Sequence, residues 1–407
     1  MNSEEAKGII ELGNNNIKCL IFRVKQDNSA EILSSSTSPS EGIHNDIIIN
    51  ITKASNAVRK CISTTEKEAK ISLKRINVIL EQPDFLCTKF SKHKKIDGSK
   101  IHKEDIEFLL KEAKKQLILN DKNQSIIHIF NHNYMVDGKK FIEEPIGVYA
   151  DSLTHEITFI TTTKNNLKNI NQVFTNCDIE IERLVSRIFS LGVKSLNNEE
   201  FQSGSILIDI GFEKISLGVF SNLALIHSIT FPFGMNHIIK DLSKVCSLSL
   251  NESKNIRNDI DFSFENNQKL FDSNSYLKNT YFIDSKFRKI SRNLIINVIK
   301  ARLDEIAELL KKQLTISGLS LVFGKNILLA GEALNFNNIE KYLANSFETQ
   351  IRKADDKNME EFEKNFSSCL GALKIIKDGW ETEAIPEIGS KNIEKMGFFA
   401  KFFRIRK

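Results

Sequence analysis

The 407-residue chain is 41% hydrophobic and 27% charged, a balance that supports folded domains and excludes a disordered polymer. Its net charge of +5 equals that of residues 391–407 alone, where six basic residues face Glu394, so the body is balanced and no nucleic-acid surface is expected. No early apolar run reaches 18 residues, and the six cysteines lie far apart without a CxxC pair. Neither a signal peptide, a spanning helix nor a structural zinc is expected, and the compartment reads as reducing.

In chain order, GIIELGNNNIKCLIF (8–22) reads as two strands around an acidic, glycine-containing turn, followed by short strands at 31–36 and 43–49. A helix is predicted over 51–70 and a strand over 76–80. The segment 82–162 changes character. It opens with an irregular lysine-containing stretch, then a helix at 103–119 with Ile106, Leu109, Leu110, Ala113 and Leu117 on one face. Strands follow at 125–130, 141–148 and 156–162, with Asp137-Gly138 as a hairpin turn. This is a small α/β unit inserted into the first half. Helices at 166–176 and 183–196 flank a strand at 178–182, and 197–204 is the crossover.

Residues 205–221, SILIDIGFEKISLGVFS, repeat the first hairpin 198 residues later. Glu11 meets Asp209, Gly13 meets Gly211, Ile17 meets Ile215 and Phe22 meets Phe220, which suggests two similar halves. A polar, weakly periodic region at 251–285 precedes the longest predicted helix, 286–314, with Ile290, Leu294, Val298, Ala301, Ile306, Leu309 and Leu310 as its apolar set. A strand at 326–330 runs into Gly331, helices are predicted at 338–346 and 361–377, and a linker leads to the tail. On a helical wheel, 392–407 gathers Met396, Phe398, Phe399, Phe402, Phe403 and Ile405 on one face, with Lys401, Arg404 and Lys407 opposite. That pattern suits a helix lying in an anionic membrane surface.

Taken in order, these stretches resemble the bacterial cell-division protein FtsA, of the actin, Hsp70 and sugar-kinase superfamily. The first hairpin, HIFNHNYMVDGKKFIEEPIGVYADSLTHEITFIT, LIDIGFEKISLGVF, ITFPFGMNHIIKDLS, ARLDEIAELL, NILLAGEAL and GFFAKFFRIRK carry the likeness. It implies an α/β, two-lobed actin-like ATPase fold of duplicated ribonuclease-H-like halves, with an inserted small α/β subdomain and a C-terminal amphipathic helix. By the same resemblance, 1–81 with 163–202 form a first-lobe core closed by 356–378, and 82–162 is the insert. Residues 203–236 with 313–355 form the second core, 237–312 its outer subdomain, 379–391 a linker and 392–407 the membrane helix. Implied partners are the FtsZ C-terminal peptide on the outer subdomain, further copies in a polymer, later division proteins and the membrane. The implied location is midcell, on the cytoplasmic face of the inner membrane.

The resemblance also implies ATP or ADP with magnesium. Glu11, Gly13, Asn14, Asn15 and Lys18 would form a first phosphate loop, Asp209 and Gly211 a second. Gly234 would lie near the nucleotide, Glu252 near ribose and base, and Gly331 at the adenosine loop. The loops depart from the family pattern: Glu11 replaces an aspartate, and Phe212 and Glu213 bring bulk and negative charge where small residues and free N–H groups are needed. Gly234 and Gly331 each stand without a paired glycine, and the family lysine near Glu252 falls on Asn255. Weak nucleotide binding with little or no hydrolysis is the expectation, and no catalytic or metal residue is nominated. A scaffold for another assembly, such as a pilus machine, is the alternative. A small-molecule kinase would need a base and intact loops, which the sequence does not offer.

Overall fold

A computed structural model describes residues 6–141, 144–318, 326–354 and 360–378. They fall into two compact units, one drawn from 6–141, 144–202, 220–229 and 360–378, the other from 203–219, 230–318 and 326–354.

The first unit opens with β1 (Lys7–Leu12), β2 (Asn16–Val24) and β3 (Ala30–Pro39), an antiparallel meander in which Ile9, Ile10, Cys19, Leu20, Ile21 and Phe22 are fully buried, so both faces of the first two strands are covered. The small hairpin β4 (Ile43–His44) and β5 (Ile47–Ile48) precedes α1 (Ile51–Ala69), which starts where the Asn50 side chain accepts the Lys53 N–H at 2.9 Å. The helix stops at Lys70, whose left-handed backbone caps it. Its Ala54, Val58, Cys61 and Ile62 are buried, the face read from sequence.

After β6 (Arg75–Leu80) the chain builds a sheet of its own from β7 (Leu86–Lys100), β8 (Gln124–Val136), β9 (Lys139–Phe141) and β10 (Tyr149–Thr163), in the order β7-β10-β8-β9, with α2 (Lys103–Asn120) packed on it. The stretch expected to be irregular is therefore the 15-residue strand β7. Its lysines sit on a sheet edge, where charge discourages pairing with other chains, and its apolar content shrinks to buried Phe90 and Ile96. Of the expected strand at 141–148, Phe141 ends β9, residues 144–148 carry no strand, and β10 begins at Tyr149. The five apolar residues predicted for α2 are the five it buries, against Phe90, Ile129, Ile157 and Phe159 at one end and Ile96, Tyr134 and Leu153 at the other. Asp137 and Gly138 both have positive φ (48° and 76°), the twist-matched two-residue turn, and the Asp137 carboxylate accepts the N–H groups of Asp151 and Ser152.

The chain continues as α3 (Lys164–Thr175), β11 (Glu180–Ser186), α4 (Arg187–Ser195) and α5 (Asn198–Ser203). The helix expected from 183 begins four residues later, because Leu184 and Val185 extend β11 alongside β6. The first sheet has the order β11-β6-β1-β2-β3.

The chain goes on through β12 (Ser205–Ile210), β13 (Ile215–Ser221) and β14 (Ala224–Phe231) to α6 (Asn236–Cys246), α7 (Leu250–Asp259) and α8 (Arg292–Ile316), then β15 (Ile327–Gly331), α9 (Ile339–Phe347) and β16 (Ile351–Lys353). The sheet order is β14-β13-β12-β15-β16. Reversed, it repeats the first sheet: each begins with a hairpin whose first strand pairs in parallel with a later one, β1 with β6 and β12 with β15. The region expected to be polar and aperiodic carries α7 and buries Phe262, Leu270, Leu277 and Tyr281. Helix α8 starts at Ser291, whose hydroxyl accepts the Leu294 N–H, rather than at 286. It buries Ile295, Ile296, Ile299, Leu303, Ile306, Ala307, Leu310 and Leu314; of the predicted set on the helix only Ile306 and Leu310 lie on that face. Two apolar stripes offset by one residue share this helix, and the one rich in isoleucine packs.

The chain returns to the first unit as α10 (Glu361–Asn365) and α11 (Ser367–Lys377), the latter packed on α4 and β1. Gly371 lies so near α4 that a Cβ there would sit 1.9 Å from the Ser190 carbonyl oxygen.

Candidate functional site

The two repeated hairpins are closed by the same backbone bond. In the first, Gly13 N–H donates to Asn16 O at 3.2 Å; in the second, Gly211 N–H donates to Lys214 O at 2.9 Å. A side chain at Gly13 would bring its Cβ to 2.7 Å from the Asn16 oxygen, so the turn requires glycine. The Asn14 carboxamide oxygen accepts the Asn45 N–H, and the Asn15 carbonyl accepts the Ser40 N–H, fixing the turn to the following loop.

Glu11 and Lys18 are cross-strand partners, so sheet register sets the lysine beside the carboxylate, 3.6 Å from Oε2. Two residues from distant elements complete the group. Arg187, the first residue of α4, donates from Nε to Oε1 at 2.7 Å, and Ser368 of α11 donates from Oγ to Oε2 at 2.8 Å. Glu11 is 5% exposed. Burial alone would raise its pKa, but the charges of Lys18 and Arg187 and the bonds from Ser368 and Arg187 outweigh it and hold the carboxyl at about 2. Arg187 and Ser368 were not legible from spacing, lying 176 and 357 residues from Glu11. The available signal was a cation at a helix N-terminus, which the helix dipole disfavours unless an anion faces it.

In the second unit, Asp209, Gly211, Gly234 and Gly331 come together. The register β12·β15 puts Asp209 beside Ala330 and Ile210 beside Gly331. Gly331 has φ +74°, and a Cβ there would stand 2.3 Å from Asp209 Oδ1; at Gly234 it would stand 2.4 Å from Gly211 O. We expect Gly331→Ala to destabilise the second unit by about 1–3 kcal/mol, the usual cost of such backbone strain, read as an earlier thermal transition. The carbonyls of Gly211 and Phe212 accept the N–H groups of Met235 and Asn236 at 3.0 and 2.8 Å, and Glu213 Oε1 accepts Asn236 Nδ2 at 2.8 Å. Phe212 faces the Arg257 guanidinium of α7, 5.7 Å from ring centroid, and the same guanidinium lies 4.9 Å from the Phe336 ring beyond β15.

Glu252 is apart from this group. It accepts the N–H of Ser249 at 2.7 Å in a capping box at the start of α7, and those of Asp284 and Ser285 at 2.9 Å. Burial opposes its charge, but these donors, with the Ser285 hydroxyl, carry the pKa down to about 2. Both its oxygens are engaged, Oε2 by the cap at Ser249 and Oε1 by the loop at Asp284 and Ser285.

Neither cluster, as arranged, fits a nucleotide. The carboxylate nominated beside magnesium already holds two cations, and the turn nominated for phosphate has committed the N–H groups of Gly211, Met235 and Asn236 internally. Among the described residues, no group of three or more His, Cys, Asp or Glu is arranged to hold a metal ion, and no helix is long and apolar enough to cross a membrane. The tail residues Met396, Phe398, Phe399, Lys401, Phe402, Phe403, Arg404 and Lys407 lie outside the described residues.

Two family descriptions match successive stretches: the SHS2 domain inserted in FtsA over residues 86–161, and cell division protein FtsA over residues 206–371. The chain is similar to cell division protein FtsA of Buchnera aphidicola subsp. Schizaphis graminum, 25% identical over 91% of this chain and 90% of that one. It is also similar to those of Bacillus subtilis (24%, 82% and 75%) and Agrobacterium fabrum (22%, 80% and 75%). Among solved structures it resembles a PilM–PilN type IV pilus biogenesis complex, with TM-score 0.60 and 12% identity over 90% of this chain and 98% of that one. It also resembles MreB 5 of Spiroplasma citri bound to AMPPNP, at 0.52 and 14% over 92% and 97%. These two likenesses give the fold, a mixed α/β arrangement of open sheets of the actin and Hsp70 type. With the insert and the larger body matched in turn, and relatives aligned over most of its length, the chain belongs to the FtsA family of cell-division proteins.

Proposed function

We propose that the protein is a membrane-associated scaffold of cell division, joining the FtsZ ring to the inner face of the cytoplasmic membrane and assembling with further copies of itself. The observation that carries this reading is the insert. Its own sheet and helix, matched as the FtsA-type domain at 86–161, interrupt an actin-type body in the order that family uses. The phenylalanine-rich tail supplies the membrane contact, and the outer part of the second unit, residues 237–312, receives the FtsZ C-terminal peptide. The insert serves self-assembly and contact with later division proteins.

A fluorescent fusion should form a midcell band in dividing cells; a polar or diffuse pattern would favour a scaffold for another assembly. For the tail, Phe399→Glu with Phe403→Glu places two charges on the apolar face. Sedimentation with anionic liposomes should be lost while the circular dichroism of the body is unchanged. Undiminished lipid binding by that variant would refute the membrane helix.

A further inference from the structure

The nominated nucleotide groups are already answered by the protein's own side chains, and the substitutes match in charge what each would replace. At the start of α6, an eleven-residue helix whose N-terminus favours an anion, the anion present is the Glu213 carboxylate, held by Asn236. Beside Glu11, where a nucleotide's divalent cation would be expected, the positive charge is the Arg187 guanidinium at one carboxylate oxygen, with Lys18 at the other. Between the turn after β12, helix α7 and the loop after β15, the flat groups are Phe212, Arg257 and Phe336, with Arg257 only 5% exposed. A ligand entering the second-unit turn would have to break the bonds from Met235 and Asn236, displace a carboxylate and unstack Phe212.

We propose that this chain is self-filled at both turns and works without ATP or ADP, the first turn held by Arg187 and the second by Glu213 and Phe212. The proposal rests on the two clusters and not on the tethering role, so a fusion that missed midcell would leave it intact.

Isothermal titration of the full chain with ATP and with ADP, each with magnesium, should give no binding at about 1 mM ligand. Association with a Kd in the micromolar range would overturn the proposal. The companion variant is Phe212→Gly with Glu213→Thr, which removes the ring and the charge together. ADP affinity should rise at least about tenfold, into the measurable range, and a folded variant that binds no better would overturn the assignment of these two side chains. Should that variant fail to fold, the near-isosteric Glu213→Gln keeps an oxygen for Asn236 and removes only the charge. It should strengthen ADP binding measurably by equilibrium dialysis with radiolabelled ligand, and an unchanged result would count against the proposal.

Discussion

Replacing Glu11 with glutamine should destabilise the first unit by about 3 kcal/mol at pH 7, seen as a lower urea midpoint for that unit. The carboxylate is buried between Lys18 and Arg187, and removing its charge leaves two cations facing each other with one neutral acceptor. Breaking a buried pair costs about 3–5 kcal/mol; the lower end applies because the side chains of Lys18 and Arg187 keep 25% and 20% of their exposure and can partly rehydrate. The pH dependence follows from the same group. Its folded pKa, about 2, lies below the ordinary 4.5, so its stabilisation is complete above about pH 4.5 and drains away as pH falls towards 2. The gap between wild type and Glu11→Gln should therefore be constant from pH 7 to 5 and narrow below that. A gap that is absent at pH 7, or independent of acidification, would mean that the ion cluster does not support the fold.

The second large effect is expected at Gly371→Ala. The added methyl would meet the Ser190 carbonyl oxygen at 1.9 Å and its carbon at 2.6 Å, and backbone atoms of a packed helix cannot swing aside as a side chain can. Alanine's better helix propensity returns only about 1 kcal/mol, against an overpacking cost of about 1–3 kcal/mol or more where nothing can yield. Helix α11 must then lift from α4, dragging Ser368 off Glu11. A net loss of about 2 kcal/mol would lower the thermal midpoint of a unit this size by about 4–8 °C in calorimetry. A shift under 2 °C would show that the α4–α11 crossing has slack.

Much of this architecture could be read from residues because the elements that position the turns are strongly patterned. Helix α2 announced its buried face through a clean helical period, and the hairpin at 205–221 declared itself by alternation and by likeness to the first. The failures have physical causes. Strand β7 hid behind edge lysines, and α8 offered two apolar stripes, between which only its tertiary neighbours decide. The site residues divide in the same way. Glu11, Gly13, Asp209 and Gly211 were visible because a turn is local. Arg187, Ser368 and Arg257 were not, since each reaches its partner only through the packing of a separate element. Phe212 and Glu213 were recognised as intruders in the turn, but what they touch, Arg257 and Asn236, required the fold.

The return of α11 to the first unit has a mechanical meaning. Residue 378 closes a helix packed on α4 and against β1, so a pull entering from residues 379–407 meets those contacts before it travels back along the chain to the second unit. The crossing at Gly371 then acts as an anchorage: with no methyl to prise the helices apart, their backbones interlock, and force is passed into the five-stranded sheet. Tension at the chain's end is therefore met first by the contacts of the first unit.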